Sequence, residues 1–215
     1  HILPHLPTLI MGRKDSQKEI QHDYMAHKSK LSIVIPVYNE VDLLPELFRR
    51  IKATVYALQE QFSLSDKDIQ CVFVNDGSTD GSFEMLINLS RNFGHQCAIT
   101  SGFTEAEGEA VVLMDGDLQD PPEFIIDLYR KLQEGFDVVY AVRSKRIGEG
   151  WFKLSTADLF YRLLRRMVSI PIPLSTGDFR IMNRRVVERL KQMPEHHRFL
   201  RGMISWLGFR QTGIE

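Results

Sequence analysis

Leu31-Ser-Ile-Val-Ile-Pro-Val-Tyr-Asn-Glu40 is the stretch from which the fold is read. Leu31 to Val37 is an almost unbroken apolar run, and the polar Tyr38-Asn39-Glu40 follows at once. Such a run, rich in β-branched residues and lacking period-two alternation, predicts a strand buried on both faces. From Val41 to Phe62, Leu43, Leu44, Leu47, Phe48, Ile51, Val55 and Leu58 recur at helical spacing, so an amphipathic helix is expected next. Ile69 to Asn75 predicts a second buried strand, closed by Asp76-Gly-Ser-Thr-Asp-Gly81, with a short helix starting near Asp80 or Ser82. Ala110 to Met114 predicts a third strand. Pro121-Pro122-Glu123 then opens a helix running to about Gln133, with proline in the first turn where its missing N–H costs nothing. Asp137 to Val142 predicts one more strand.

Apolar strands alternating with amphipathic helices argue an α/β architecture: a mostly parallel, Rossmann-like sheet with helices on both faces. Ligands in such sheets bind beyond the carboxyl ends of the strands. Three polar clusters lie there: Tyr38-Asn39-Glu40, Asp76-Gly77-Ser78 and Asp115-Gly116-Asp117-Leu118-Gln119-Asp120. They are expected to converge on one crevice.

The composition fits this reading. The chain has 215 residues, 43% hydrophobic and 26% charged, with a net charge of -1, which excludes disordered, collagenous and disulfide-stapled classes. Cys71 and Cys97 form no CxxC pair and suit a reducing compartment. No apolar run approaches the roughly 18 to 20 residues of a bilayer span. Residues 1–29 show no sustained period and read as an arm or a remnant preceding a single domain over 30–215. Charge is segregated along the chain. His1 to Val142 carries 12 Lys and Arg against 22 Asp and Glu, whereas Arg143 to Glu215 carries 15 against 6. One part should attract cations and the other anions, unless the surface is simply mixed and solvated.

Neither GxxxxGK[ST] nor GxGxxG occurs, and Gly148-Glu-Gly150 lacks the third glycine, so backbone cradling of phosphate is unsupported. A metal can take that task. Asp115, Asp117 and Gln119 stand at i, i+2 and i+4; in extended chain their side chains share one side and offer the oxygen ligands that Mg²⁺ or Mn²⁺ prefers. The plain alternative is a solvated turn. Asp76 at a strand end can accept a hydrogen bond from a nucleotide base, or can be only a turn residue. In the basic part, Phe152, Leu159, Phe160, Leu163, Leu164, Met167 and Val168 form a stripe edged by Lys153, Arg162, Arg165 and Arg166. That stripe suits a membrane surface or packing on the sheet equally well. The seven histidines show no HExxH, so zinc is unsupported.

Taken together, Leu31-SIVIPVYNE-40, Val74-NDGSTDGS-82, Ser90-RNFGH-95, Met114-DGDLQDPPE-123, Thr176-GDFRIMNRRVV-187 and Arg198-FLRGMISWLGFRQT-212 resemble one family. The chain is similar to the catalytic domain of family-two, GT-A-fold glycosyltransferases, in the polyprenyl-phosphate sugar transferase branch that includes dolichol-phosphate mannose synthase and undecaprenyl-phosphate glucosyl-type enzymes. The resemblance implies inverting transfer of a sugar from a nucleotide diphosphate, UDP favoured, to a lipid phosphate. It implies a divalent cation on Asp115, Asp117 and Gln119, nucleotide contacts from Pro36, Tyr38, Asn39, Glu40, Asp76, Ser78, Asp115 and Gly116, and catalytic roles for Asp117 and Asp178. Asp178 falls near the acceptor, with positioning or base duty. Arg143, Arg198 and Arg201 are candidate clamps for the acceptor phosphate, since a guanidinium fork matches phosphate oxygens, or are surface ion pairs.

The implied setting is the cytoplasmic face of the cell membrane, with no nucleic acid as partner and homo-oligomerisation left open. Members of this branch usually carry two membrane spans after the stretch matching Phe209 to Glu215. They also have about a dozen more residues between the positions of Asp80 and Asn88. Rival readings are a non-catalytic nucleotide-sugar sensor, a transferase acting on a soluble or cell-envelope glycan, and a metal phosphohydrolase.

Overall fold

Leu31–Val37 becomes β1, buried along its whole length under helices on both faces and paired in parallel on each side, with β2 (Ile69–Asn75) and β4 (Ala110–Leu113). This computed structural model describes residues 29–80, 87–88, 94–142, 176–195 and 198–215. β3 (Ile87–Asn88) adds beside β2. Beyond β4 the sheet continues through β6 (Thr176–Asn183), β5 (Val138–Val142) and β7 (Gln211–Ile214), giving the order β3-β2-β1-β4-β6-β5-β7. Every pairing is parallel except the two made by β6. The mostly parallel α/β sheet expected from the strand patterns is what the described residues form.

Strand parity sorts the core into two layers. In β1, Leu31, Ile33, Ile35 and Val37 face α1 (Leu44–Phe62) and α3 (Ile125–Leu132), whereas Val34 faces α2 (His95–Glu105). The same alternation sends Val112, Phe179 and Ile181 to the first layer, and Val111, Leu113 and Met182 to the second. α4 (Arg184–Gln192) and α5 (Leu200–Trp206) complete that second layer through Val186, Leu190, Leu200 and Ile204.

Pro36 would be costly in a central strand were its nitrogen aimed at a paired neighbour. Val37 turns its carbonyl to Asp76 after β2, and Val34 turns its own to Met114. By alternation Pro36 faces the β4 side, where the β1–β4 pairing has already ended at Val34↔Leu113. No ladder bond is lost.

Several boundaries differ from the pattern. α1 starts at Leu44 rather than Val41, because Pro45 needs the first turn and the N–H groups of Leu43 and Leu44 both close onto the Glu40 carbonyl. A short 3₁₀ turn, Pro122–Phe124, precedes α3, which ends at Leu132. β4 ends at Leu113, one residue short, and β5 starts at Val138, because Asp137 is occupied otherwise. Residues 1–28 of the expected arm, residues 81–86 where the short helix is expected to run, Arg143 and the amphipathic stretch 151–170 lie outside the described residues. Among those described, no helix is long and apolar enough to cross a membrane.

Asp137 is buried where β5, β6, α4 and β7 meet. Its carboxylate accepts hydrogen bonds from Asn183, from the Arg185 guanidinium and from the Arg210 N–H. Burial alone would raise its pKa, but these donors outweigh burial and hold the carboxyl below the ordinary value. A depressed folded pKa contributes stability that is fully present above the unfolded value near ~4 and is lost as pH falls through the folded value. Asp137→Ala should therefore lower unfolding free energy by about 3 kcal/mol at neutral pH, roughly 6 to 12 °C in Tm. Calorimetry should find the difference from wild type shrinking below about pH 4, where both chains have lost the charged acceptor.

Candidate active site at the carboxyl edge of the sheet

Because β1, β2 and β4 run parallel, the loops after them leave the same edge of the sheet. Hydrogen bonds tie the first two together: Asn39 N–H donates to Ser78 Oγ (3.0 Å), Thr79 N–H to Asn39 Oδ1 (2.8 Å) and Val41 N–H to Asp80 Oδ2 (3.0 Å). Ser78 N–H in turn donates to Asn75 Oδ1 at 2.8 Å, and Asp76 is buried beside it. Asn39 adopts a left-handed φ of 55°, a conformation Asn tolerates better than most residues. The third loop is pressed against the end of β1. A Cβ at Gly116 would stand 3.1 Å from the Pro36 carbonyl oxygen and 3.3 Å from Val37. Burial, Asp117 and Asp80 together raise the pKa of Glu40, so the three loops share one electrostatic environment.

The extended chain that would line up Asp115, Asp117 and Gln119 is not formed. The chain turns at Gly116-Asp117, Leu118 takes φ 58°, and the Gln119 N–H donates to Asp117 Oδ1 at 3.0 Å. The i, i+2, i+4 expectation assumed strand geometry, and a side-chain-capped turn replaces it. Among the described residues no group of three or more His, Cys, Asp and Glu side chains is arranged to hold an ion. Asp115 Oδ1 is nevertheless buried without a hydrogen bond. An acceptor-only oxygen left in that state suits a cation, so the donor chemistry of this loop fits a divalent metal.

β6 brings the second half of the site. Its antiparallel register with β4 ends at Leu113↔Arg180, and carrying it two residues further sets Asp178 opposite Asp115. Parity puts both side chains on the α2 face, which is where His95 opens α2. Its Nε2 lies 3.4 Å from Asp115 Oδ1 and 3.4 Å from Asp178 Oδ2. Arg201 Nε stands 3.4 Å and Arg180 Nη2 3.6 Å from Asp178 Oδ1. Arg180 is fully enclosed, and donates to the carbonyls of Gly177 (2.8 Å) and Asp178 (3.1 Å).

These neighbours drive the two aspartates apart. Burial, only partly offset by His95, raises the pKa of Asp115, with Asp178 and Asp117 adding to the rise. For Asp178 burial also pushes upward, but the His95 hydrogen bond and the charges of Arg180 and Arg201 outweigh it and hold the carboxyl below its ordinary value. His95 is raised chiefly by its hydrogen bond with Asp178. Desolvation drops Arg180 to about 10, still charged at neutral pH.

Of the expected residues, Tyr38, Asn39, Glu40, Asp76, Ser78, Asp115, Gly116, Asp117 and Gln119 stand on the three loops, Pro36 near the end of β1, and Asp178 and Arg201 beside them. Arg198 is engaged elsewhere. It donates to the carbonyls of Met193 (3.0 Å) and Glu195 (3.2 Å), and its buried Nη1 has no hydrogen-bond partner among the described residues. His95 and Arg180 are two site residues that the sequence pattern does not single out. Each lies inside a recognised motif, and each becomes legible only once β6 is known to sit beside β4.

Comparison with solved structures places this architecture among GT-A glycosyltransferases. A mannosyltransferase of Pyrobaculum calidifontis, solved with GDP-mannose and Mn²⁺, superposes with a TM-score of 0.61 at 21% identity, over 88% of this chain and 55% of that one. The Glycosyl transferase family 2 pattern matches residues 32–191, and the chain belongs to that family. It is 47% identical over 203 residues to an uncharacterized glycosyltransferase, YkcC, of Bacillus subtilis, covering 89% of this chain and 61% of the relative. It is 39% identical over 199 residues to the bactoprenol glucosyl transferase of Shigella phage SfV, covering 86% and 62%. The chain thus spans about three-fifths of the length of these curated relatives.

Arg180→Leu should cost about 3 to 5 kcal/mol, because it removes one of the cations beside Asp178 and takes the guanidinium donors away from the carbonyls of Gly177 and Asp178. Urea unfolding measures this loss directly. A variant as stable as wild type would mean that water replaces the guanidinium.

Proposed function

We propose that this chain transfers a hexose from a nucleotide diphosphate sugar, UDP favoured, to a polyprenyl phosphate at the cytoplasmic face of the membrane. The observation that carries the reading is the pairing of two unlike carboxylates at one strand edge. Asp115, half-buried with an enclosed oxygen lacking a hydrogen bond, suits the donor's metal; Asp178, already compensated by cations, suits the acceptor side. Support for the lipid acceptor comes from the relatives named bactoprenol glucosyl transferase, and UDP is favoured over GDP as part of the proposal, on the likeness to the bacterial branch.

Asp115, Asp117 and Gln119 would hold Mg²⁺ or Mn²⁺. When bound, the ion would neutralise charge growing on the departing diphosphate. Asp76, Ser78 and the Tyr38-Asn39-Glu40 turn would receive the nucleoside, with Pro36 and Gly116 forming the floor. Inverting transfer is one in-line displacement through an oxocarbenium-like state, comparable to that of glycoside hydrolysis. A hydroxyl acceptor would need a strong base, which the depressed pKa of Asp178 makes it ill-suited to be. A phosphate monoester has its second pKa near ~6 and arrives mostly ionised. Asp178 then serves by position rather than by proton removal, and Arg201, with Arg143, would meet the anionic headgroup. Arg180, Arg184 and Arg185 are spent inside the fold; the other Lys and Arg after Val142 support a membrane-facing side, since such residues add roughly 1 kcal/mol apiece near an anionic leaflet.

Calorimetry with UDP and with GDP, each in Mn²⁺ and in EDTA, tests the donor half. UDP should bind only with Mn²⁺, and Asp117→Ala should abolish that metal-dependent affinity without altering the melting curve; equal affinity in EDTA would sink the metal claim. Asp76→Asn should weaken UDP binding about 10- to 100-fold, through loss of one charge-assisted hydrogen bond. Binding within twofold of wild type would make Asp76 a turn residue only. Radiolabelled transfer from UDP-glucose to a polyprenyl phosphate in anionic vesicles tests the acceptor half. Transfer to a soluble glycan instead would overturn it.

A further inference from the structure

We infer that His95 is a positioning residue for sugar transfer, fixing the orientation of the Asp178 carboxylate and its spacing from Asp115. The inference rests on the proposed assignment of Asp178 to the acceptor side.

The geometry begins with the turn that delivers His95. Gly94 holds φ at +90°, a conformation open to glycine and strained for other residues, and its carbonyl accepts the first helical bonds from Cys97 and Ala98. His95 is the first residue of α2, on the sheet face that Asp115 and Asp178 share. Its Nε2 stands equally far, 3.4 Å, from a carboxylate oxygen of each.

Both of these neighbours are hydrogen-bond acceptors, so Nε2 must carry the proton; a lone pair there would face two carboxylates at once. One N–H serves one carboxylate at a time. Asp115 Oδ1 accepts no hydrogen bond, which leaves the N–H to Asp178 Oδ2, 3.4 Å away.

The two oxygens of Asp178 are divided between partners. Oδ1 faces Arg201 and Arg180, and Oδ2 faces His95. With Oδ1 alone engaged, the carboxylate would keep more freedom to turn about its Cβ–Cγ bond; a donor on Oδ2 restricts it. The same imidazole stands between Asp178 and Asp115, two like charges that otherwise repel. Its loss should therefore disturb the reacting geometry more than it disturbs donor binding.

The test compares His95→Ala, His95→Asn and His95→Gln in the full chain. The glutamine amide reaches about as far as Nε2, whereas the asparagine amide stops short. His95→Ala should lower kcat for transfer from UDP-glucose to a polyprenyl phosphate by about ten- to a hundredfold, the scale of one charge-assisted hydrogen bond. UDP affinity in Mn²⁺ should stay within threefold of wild type. His95→Gln should regain most of the rate and His95→Asn little. Combining His95→Ala with Asp178→Asn should add little to the loss from Asp178→Asn alone, because both act through one contact.

Independently of activity, ¹⁵N spectra of the imidazoles should show His95 protonated at Nε2, with its signal shifted by Asp178→Asn. Unchanged kcat in a folded His95→Ala chain, fully multiplicative losses in the double variant, or an imidazole signal indifferent to Asp178→Asn would each overturn the inference. A loss of UDP affinity in step with kcat would also overturn it, by moving His95 to the donor site. If the wild-type chain transfers no sugar, the proposed function fails, and the imidazole spectra alone decide whether His95 and Asp178 are linked.

Discussion

The antiparallel ladder between β4 and β6 is the constraint on which the rest of this site depends. β6 is the one reversed strand in the described sheet, and it lies between β4 and β5, which are far apart in the chain. A parallel strand in that slot would have delivered its carboxyl end to the catalytic edge. The reversed strand delivers its amino end instead, so Asp178 arrives opposite Asp115 and Arg180 two residues deeper. Strand parity then leaves no choice of face: both aspartates and Arg180 must point toward α2, whose first residue is His95.

What this ladder brings together would be unstable as separate parts. Asp178 is a carboxylate with its side chain only 12% exposed, and Arg180 is a fully enclosed guanidinium. Each would carry a large desolvation cost alone. Together with His95 and Arg201 they satisfy one another, and Arg180 spends its remaining donors on the carbonyls of Gly177 and Asp178. Asp115 receives much less of this compensation. Burial thus raises one aspartate while cations lower the other, and pairs of like groups pushed apart in this way commonly mark divided roles.

The segregation of charge along the chain takes a different form in space. The basic second part was expected to stand apart as an anion-attracting region. Among the described residues, several of its arginines instead reach into the acidic first part: Arg185 binds Asp137, Arg184 binds the Gly108 carbonyl, and Arg180 lies against the aspartates of the site. Sheet insertion interleaves what the chain order separates, because β6 and α4 pack directly on elements of the first part.

Much of the fold was legible from local pattern. The apolar runs at Leu31 to Val37, Ile69 to Asn75 and Ala110 to Met114 read as buried strands because both of their faces lie under helices, and burial on two faces leaves an uninterrupted hydrophobic signature. The polar residues that end those strands were legible too, since parallel strands necessarily leave their loops on one edge. β6 was not, because Thr176–Asn183 contains Asp178 and Arg180 and shows neither a continuous run nor clean alternation. Nor was the turn at Gly116-Asp117, which spacing alone could not distinguish from extended chain. His95 and Arg180 carried no signal in isolation, for a histidine at a helix start and an arginine in a strand are ordinary until a buried carboxylate is set beside them. Sequence by itself determined which segments are buried and where the loops gather. Tertiary structure decided which charges meet, because the cost of burying a charge depends on partners from distant parts of the chain that only sheet register can align.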